Sequence, residues 1–154
     1  MRIMVTSDTH GDFQSLFEAL SRQPSAEVVI HLGDGEEDVM RAHPLFPEKM
    51  FLQVKGNCDF GSQLPVTGDF SVLGKSIFYT HGHLYEVKLH DYALISAARD
   101  RKADIVLYGH THTAENRYQD GLYIMNPGSL RGYGGTYGVI DITGKGILTN
   151  IIKI

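Results

Sequence analysis

A single cysteine, Cys58, in 154 residues excludes an intramolecular disulfide framework and any cysteine-rich zinc site, which fits a reducing compartment. Runs of Lys and Arg are also missing. With 14 basic against 18 acidic residues the formal net charge is -4, so tight non-specific binding through phosphate neutralisation, and hence a stable nucleic-acid complex, is not expected. No stretch approaches the length of a signal h-region or a membrane span, and Met1 to Thr6 runs straight into an apolar strand pattern. A cytoplasmic protein without membrane association is the expectation. Internal repeats, linkers and low-complexity segments are absent as well.

What is present is ordinary globular composition, 42% hydrophobic and 21% charged, in a length suited to one compact domain over residues 1–154. Apolar runs at 2–6, 27–32 and 50–54 each stop at a polar, Gly-containing loop. Between the first two, Asp12 is a good N-cap, and Phe13, Leu16, Phe17 and Leu20 recur at helical spacing until Pro24. A short acidic helix is predicted near Glu36. This is βαβ wiring, which gathers polar loops at one sheet edge. Residues 70–73 and 76–80 flank Gly74-Lys75, a hairpin signal that turns the sheet antiparallel. A helical pattern over 90–101 precedes strands at 105–108, 122–125, 137–142 and 147–154. The expected fold class is α/β, with two β-sheets packed as a sandwich between flanking helices.

Five of these loops concentrate acids and histidines: Asp8-Thr-His10, Gly33-Asp34, Gly56-Asn57-Cys58-Asp59, His81-Gly-His83 and Gly109-His110-Thr-His112. A divalent cation needs carboxylate oxygens and neutral imidazoles converging from several directions, and strand ends at one edge supply that convergence. Glycine beside the donor lets the chain turn sharply. Asp8, His10, Asp34, Asn57, His81, His110 and His112 are too many for one tetrahedral ion, so two ions sharing a carboxylate is the economical solution. Asp34, from the middle strand, is the natural bridge.

The ordered blocks Asp-x-His, Gly-Asp, Gly-Asn-x-Asp, His-Gly-His and Gly-His-Thr-His resemble the calcineurin-like metallophosphoesterase superfamily, and within it the small single-domain bacterial and archaeal phosphodiesterases. The likeness extends from Asp8 to Asn126-Pro127-Gly128-Ser129. It implies a metallophosphoesterase-like four-layer fold with two mixed sheets. It implies one cation held by Asp8, His10 and His112, a second by Asn57, His81 and His110, and Asp34 between them. The implied activity is hydrolysis of a small phosphodiester by in-line attack of a hydroxide held by the two metals. Catalytic work falls to Asp34, Asn57 and His83, and substrate contacts to Asn57, Cys58, His83 and Arg131. Manganese is the expected ion, though Ni²⁺, Zn²⁺, Fe²⁺ and Co²⁺ suit the same donors. Similar proteins form homodimers or homotetramers.

Cys58 departs from the wider superfamily, many of whose members carry histidine directly after the Asn ligand. A neutral thiol replaces it poorly as a proton donor, so esters with acidic leaving groups should be cleaved best. Nothing nearby supplies a base that would make Cys58 a nucleophile. His31, His43 and His90 lie outside the blocks and read as structural or solvated. Asn126-Pro127-Gly128-Ser129 reads as a tight loop under the centre, and the Gly-rich segment 131–138, lacking the Walker spacing, as a strand connection. Two rival functions use the same framework. One is a non-catalytic assembly scaffold, as in the similar retromer subunit of eukaryotes, and the other is hydrolysis of a carboxyl ester or amide by the same ions.

Overall fold

The computed structural model describes residues 1–154. Strand β1 (Arg2–Thr6) leads into helix α1 (Phe13–Ser21), β2 (Val28–His31), α2 (Glu36–Ala42) and β3 (Met50–Gln53). The hairpin β4 (Thr67–Val72) and β5 (Lys75–Thr80) follows, then α3 (Tyr92–Asp100), β6 (Ile105–Leu107), β7 (Glu115–Gln119), β8 (Leu122–Asn126), β9 (Thr136–Thr143) and β10 (Gly146–Lys153).

These strands form two five-stranded mixed sheets, ordered β10-β9-β1-β2-β3 and β4-β5-β6-β8-β7. In the first, β1, β2 and β3 are parallel while β9 and β10 run antiparallel. In the second, β5, β6 and β8 are parallel and both edges, β4 and β7, are antiparallel. The hairpin therefore turns the chain into a second sheet whose centre is again parallel, beyond the antiparallel continuation that the sequence suggests.

Period-two alternation divides the strands between two interfaces. Ile3, Val5, Val28 and Ile30 meet Ile77, Ile105, Leu107 and Met125 between the sheets. Met4 and Val29 point the other way, onto Leu16, Ala19 and Leu20 of α1 and Val39 of α2. Phe78, Val106 and Ile124 pack outward on Leu94 and Ala98 of α3. The result is four layers, α/β/β/α, and each fully buried Leu or Ile in them contributes about 1.5–3 kcal/mol of transfer free energy.

Asp12 caps α1, accepting from Ser15 N at 3.1 Å, and Pro24 follows its end. Below that end the ammonium of Lys49, buried at 4% exposure, donates to the carbonyls of Gln23, Pro24 and Ala26 at 2.9, 3.3 and 2.8 Å. The turn of the β4–β5 hairpin is Leu73-Gly74, both at positive φ (50° and 74°), one residue earlier than Gly74-Lys75. A two-residue hairpin loop of this twist demands two such residues. The remaining difference is β7, whose Glu-Asn-Arg-Tyr-Gln carries no apolar alternation; as an edge strand it pairs with β8 alone.

Candidate metal centre

Every parallel strand of both sheets delivers its carboxyl end to one edge of the sandwich. Asp8 and His10 follow β1, Asp34 follows β2 and Asn57 comes after β3, while His81 follows β5 and His110 with His112 follow β6. Five of these seven residues have positive φ: Asp8 (54°), His10 (47°), Asp34 (57°), His110 (69°) and His112 (61°). Left-handed backbone costs a non-glycine residue roughly 1–2 kcal/mol, and it persists only where surrounding structure over-determines it. Here two loops are tied together, with Asp8 N donating to the Gly33 carbonyl at 3.0 Å and His10 N to that of Asp34 at 2.9 Å.

Each carboxylate is aimed by bonds to one of its oxygens. Asp8 Oδ2 accepts from Ser7 Oγ at 2.5 Å and His110 N at 3.0 Å, which leaves Oδ1 buried and without a hydrogen-bond partner. Asp34 Oδ1 accepts from Cys58 N at 2.7 Å, while Oδ2 lies 3.7 Å from His10 Nε2 and 3.4 Å from His81 Nε2. On one side of that oxygen, His10 Nε2 and His112 Nε2 are 3.2 Å apart and Asp8 Oδ1 is 3.1 Å from His112 Nε2. On the other, His81 Nε2 lies 3.2 Å from His110 Nδ1 and 3.0 Å from Asn57 Oδ1.

Two imidazole nitrogens bound to one cation at about 2.05 Å in tetrahedral array sit about 3.3 Å apart. Both histidine pairs have that spacing. The donor set, three side-chain oxygens and four imidazole nitrogens around an orphaned carboxylate oxygen, fits two divalent cations.

The electrostatics have the same origin. Burial pushes the His110 imidazolium down to about 4, helped by the charge of His81. Burial opposes ionisation of Asp34, but hydrogen bonds from His81 and the Cys58 N–H hold its carboxyl well below the usual range. His81 is disfavoured as a cation by burial, yet its bond to Asp34 and the field of Asp8 raise it overall. Its Nδ1 donates to the Leu32 carbonyl at 2.7 Å, which fixes the ring, so a cation bound at Nε2 would displace only the proton shared with Asp34.

His83 and Arg131 lie outside the seven-residue cluster, and Cys58 borders it, its Sγ within 4.8 Å of a His10 ring nitrogen and an Asp34 carboxylate oxygen. Cys58 is exposed, takes a 3.4 Å contact from Asn57 Nδ2, and has its thiol pKa raised by burial and then by the Asp34 charge. The His83 ring is tilted by 56° and 59° against His81 and His110, at centroid distances of 5.4 and 6.1 Å, with Nδ1 buried and unpartnered. Arg131 is exposed, its guanidinium making no hydrogen bond, and its charge faces Asp12.

The structure adds two supporting residues, Asp59 and Asp38, to which sequence reading gave no role at the centre. Asp59 accepts four backbone N–H bonds, from Asp34, Gly35, Glu36 and Gly56 at 2.7–3.1 Å, and so caps α2 from another loop. Glu36 and Glu37 give α2 no side-chain cap; they contribute only charge in its first turn. Asp38 is buried and locks the first loop, accepting from Thr9 Oγ1 at 2.5 Å and Gly11 N at 2.9 Å. The fourth residue of the Gly-Asn-x-Asp block was the available signal for Asp59; Asp38 had none. Asn126 bonds Gly109 O and Thr111 Oγ1, and Ser129 Oγ donates to the Asp8 carbonyl at 2.7 Å, so the 126–129 turn is a platform under the centre. His31 is buried against Thr6, and no helix of the chain is long and apolar enough to cross a membrane.

Comparison with known proteins gives this geometry a context. Residues 1–145 match the calcineurin-like phosphoesterase superfamily domain. A probable metallophosphoesterase of Bacillus subtilis, YsnB, is 32% identical over 133 residues, covering 85% of this chain and 76% of that protein. Vacuolar protein sorting-associated protein 29 of Schizosaccharomyces pombe is 39% identical over 79 residues, covering 51% of this chain and 42% of its own. Among solved structures, a predicted phosphoesterase of Streptococcus pneumoniae superposes with a TM-score of 0.82 at 28% identity, covering 99% of this chain and 88% of the other.

Proposed function

Because the chain belongs to the calcineurin-like phosphoesterase superfamily, we propose that it is a metal-dependent phosphodiesterase working at the edge where the parallel strands end. The observation that carries this reading is the pair of histidine couples, each 3.2 Å apart, on either side of Asp34 Oδ2. Asp8, His10 and His112 would hold one cation, and Asn57, His81 and His110 the other, with Asp34 shared. Bound there, two divalent cations supply an activated water and neutralise the phosphoryl oxygens during in-line displacement.

The protein's own contribution is to hold these donors rigid. Asp59 and Ser129 fix the loops, Asp8 Oδ2 is pinned so that Oδ1 stays free, and the Leu32 carbonyl sets the His81 tautomer. His83, its pKa lowered by burial and by His81, stands beside the second couple as a neutral imidazole available to a phosphoryl oxygen or leaving group. Asn57 serves both cation and substrate, Cys58 beside it touches the substrate, and Arg131 steers its anion from the rim. A diester fits the local charge better than a monoester: Glu36, Glu37 and Asp38 adjoin His10 and Asp34, and they repel a dianion more than a monoanion. Manganese is the ion we assign. Cys58 as the sole cysteine supports a cytoplasmic enzyme, and assembly as a homodimer or homotetramer follows from the resemblance.

The test is hydrolysis of bis-p-nitrophenyl phosphate with added Mn²⁺. Turnover should vanish with a chelator and fall at least 100-fold in Asp34→Asn and His110→Ala. Full activity in both variants would remove the centre from the chemistry. Metal bound without turnover of any phosphoester would favour an assembly scaffold.

A further inference from the structure

Beside the metal centre, and continuous with it through Cys58 and Asp59, lies a groove of about 490 Å³. Its walls are Glu36, Glu37 and Met40 of α2 on one side and Cys58, Phe60 and Ser62 on the other. Phe60 is 91% exposed and Met40 64%, so two large apolar side chains flank an opening whose remaining charge is acidic.

No basic side chain lines this groove. The lysines whose fields reach the centre, Lys55 and Lys88, act on His83 and His110, neither of which lines it. Of the backbone N–H groups at the start of α2, ordinarily the anion-binding feature of such a place, those of Gly35 and Glu36, with that of Asp34 before them, are spent on Asp59. With its own carboxylate satisfied by four N–H bonds, Asp59 leaves Glu36 and Glu37 as the unpaired charges that a ligand meets. An exposed aromatic ring and a methionine beside two carboxylates suit an organic cation, which gains ring-face attraction and loses little hydration. An anion entering there meets no basic side chain.

We propose that this groove receives one organic arm of the phosphodiester and selects an arm bearing a positive charge, such as a quaternary ammonium, against one bearing a negative charge. The inference rests on the phosphodiesterase reading for its chemistry, but the groove's charge selectivity is a property of residues 36–40 and 58–62. A diester with a cationic arm is a zwitterion with no net charge, whereas one with a carboxylate or second phosphate arm brings two negative charges to an acidic opening.

The experiment uses the Mn²⁺-loaded chain and p-nitrophenyl phosphodiesters whose second arm is choline, ethyl or carboxyethyl. The common nitrophenol leaving group keeps the chemical step alike. The choline ester should exceed the carboxyethyl ester about tenfold in kcat/KM, chiefly through KM, with ethyl between them, a gap expected of two partly solvated carboxylates at moderate salt. In Glu36→Gln/Glu37→Gln the gap should shrink to about twofold. A ratio near one in the parent protein, or a gap the double variant leaves intact, overturns the proposal. A second readout needs no turnover: with diamagnetic Zn²⁺ in place of Mn²⁺, choline chloride in the tens of millimolar should shift the backbone amide resonances of residues 36–40 and 60, and sodium propionate should not. Such shifts without hydrolysis of any diester would sink the phosphodiesterase reading and keep the groove. Hydrolysis without such shifts would do the reverse. Light scattering that shows Phe60 and Met40 covered in a homo-oligomer, released by Phe60→Ala, also overturns the assignment.

Discussion

Gly56 stands so close to Asp34 that a Cβ at position 56 would fall inside the van der Waals shell of Asp34 Oδ1 and press on the Asp34 backbone nitrogen. That oxygen is the one held by Cys58 N, so a methyl group at 56 would push the carboxylate out of the aim that places Oδ2 between His10 and His81. Gly56→Ala is expected to fold, at a cost of about 1–3 kcal/mol from overpacking, but to lose at least tenfold in metal affinity and 100-fold in turnover. Metal analysis after dialysis, beside the thermal midpoint, separates the two effects; a variant with full metal content and activity would show that this contact does not aim Asp34.

Asp59→Asn probes the loop that carries Asn57. The carboxylate accepts from four backbone donors, two at each oxygen, and an amide can accept at only one end. Two buried N–H groups would then face an NH₂, a loss of about 2–4 kcal/mol. Urea unfolding measures it, and an unchanged midpoint would deny Asp59 its capping role.

Lys49→Met should behave differently, because Lys49 lies under the α1–β2 connection and outside the metal centre. Three carbonyls lose their donor, at about 2–4 kcal/mol in total, while kcat/KM of the folded protein on bis-p-nitrophenyl phosphate stays within twofold. A stability change below 1 kcal/mol, roughly what one exposed hydrogen bond contributes, would contradict the burial argument.

The pH dependence of stability should carry a signature of His31. Burial lowers its pKa from 6.5 to about 4, opposed only in part by Asp59, Asp8 and Asp38. The unfolded chain therefore binds a proton that the native state refuses. Stability from this group is complete above pH 6.5 and is lost as pH falls from there toward 4, about 2 kcal/mol of it between pH 7.5 and 5.0. In chelator, to remove any metal contribution, His31→Asn should show a shallower decline than the parent over that interval. Equal declines would mean that His31 does not titrate between the two states.

Leaving-group chemistry tests the thiol. With its pKa raised by burial and by Asp34, Cys58 is neutral and a weak proton donor, so an alkoxide leaves largely unassisted. Rates should fall steeply as leaving-group pKa rises, by 100-fold or more from nitrophenyl to alkyl esters; near-equal rates with chemistry limiting would identify an acid in the site, with His83 the nearest candidate.

The strands and the helix starts were legible because their causes are local. Alternation marked Ile3, Val5, Val28 and Ile30, and Asp12 announced α1. Strand β7 was invisible because Glu115–Gln119 is polar on both faces and exists by pairing with β8. The capping of α2 by Asp59 was hidden for the same reason, since its donors at 34–36 lie more than twenty residues away.

The sequence by itself determined which residues could bind metal and the order in which they occur, because oxygen and imidazole donors beside glycines after apolar runs are a chemical pattern. Only the tertiary structure decided that His10 meets His112 and His81 meets His110 across an interval bisected by Asp34 Oδ2. Those distances depend on two sheets packing face to face with their parallel strands ending together, and on backbone held at positive φ, costs that no local stretch of chain would bear alone.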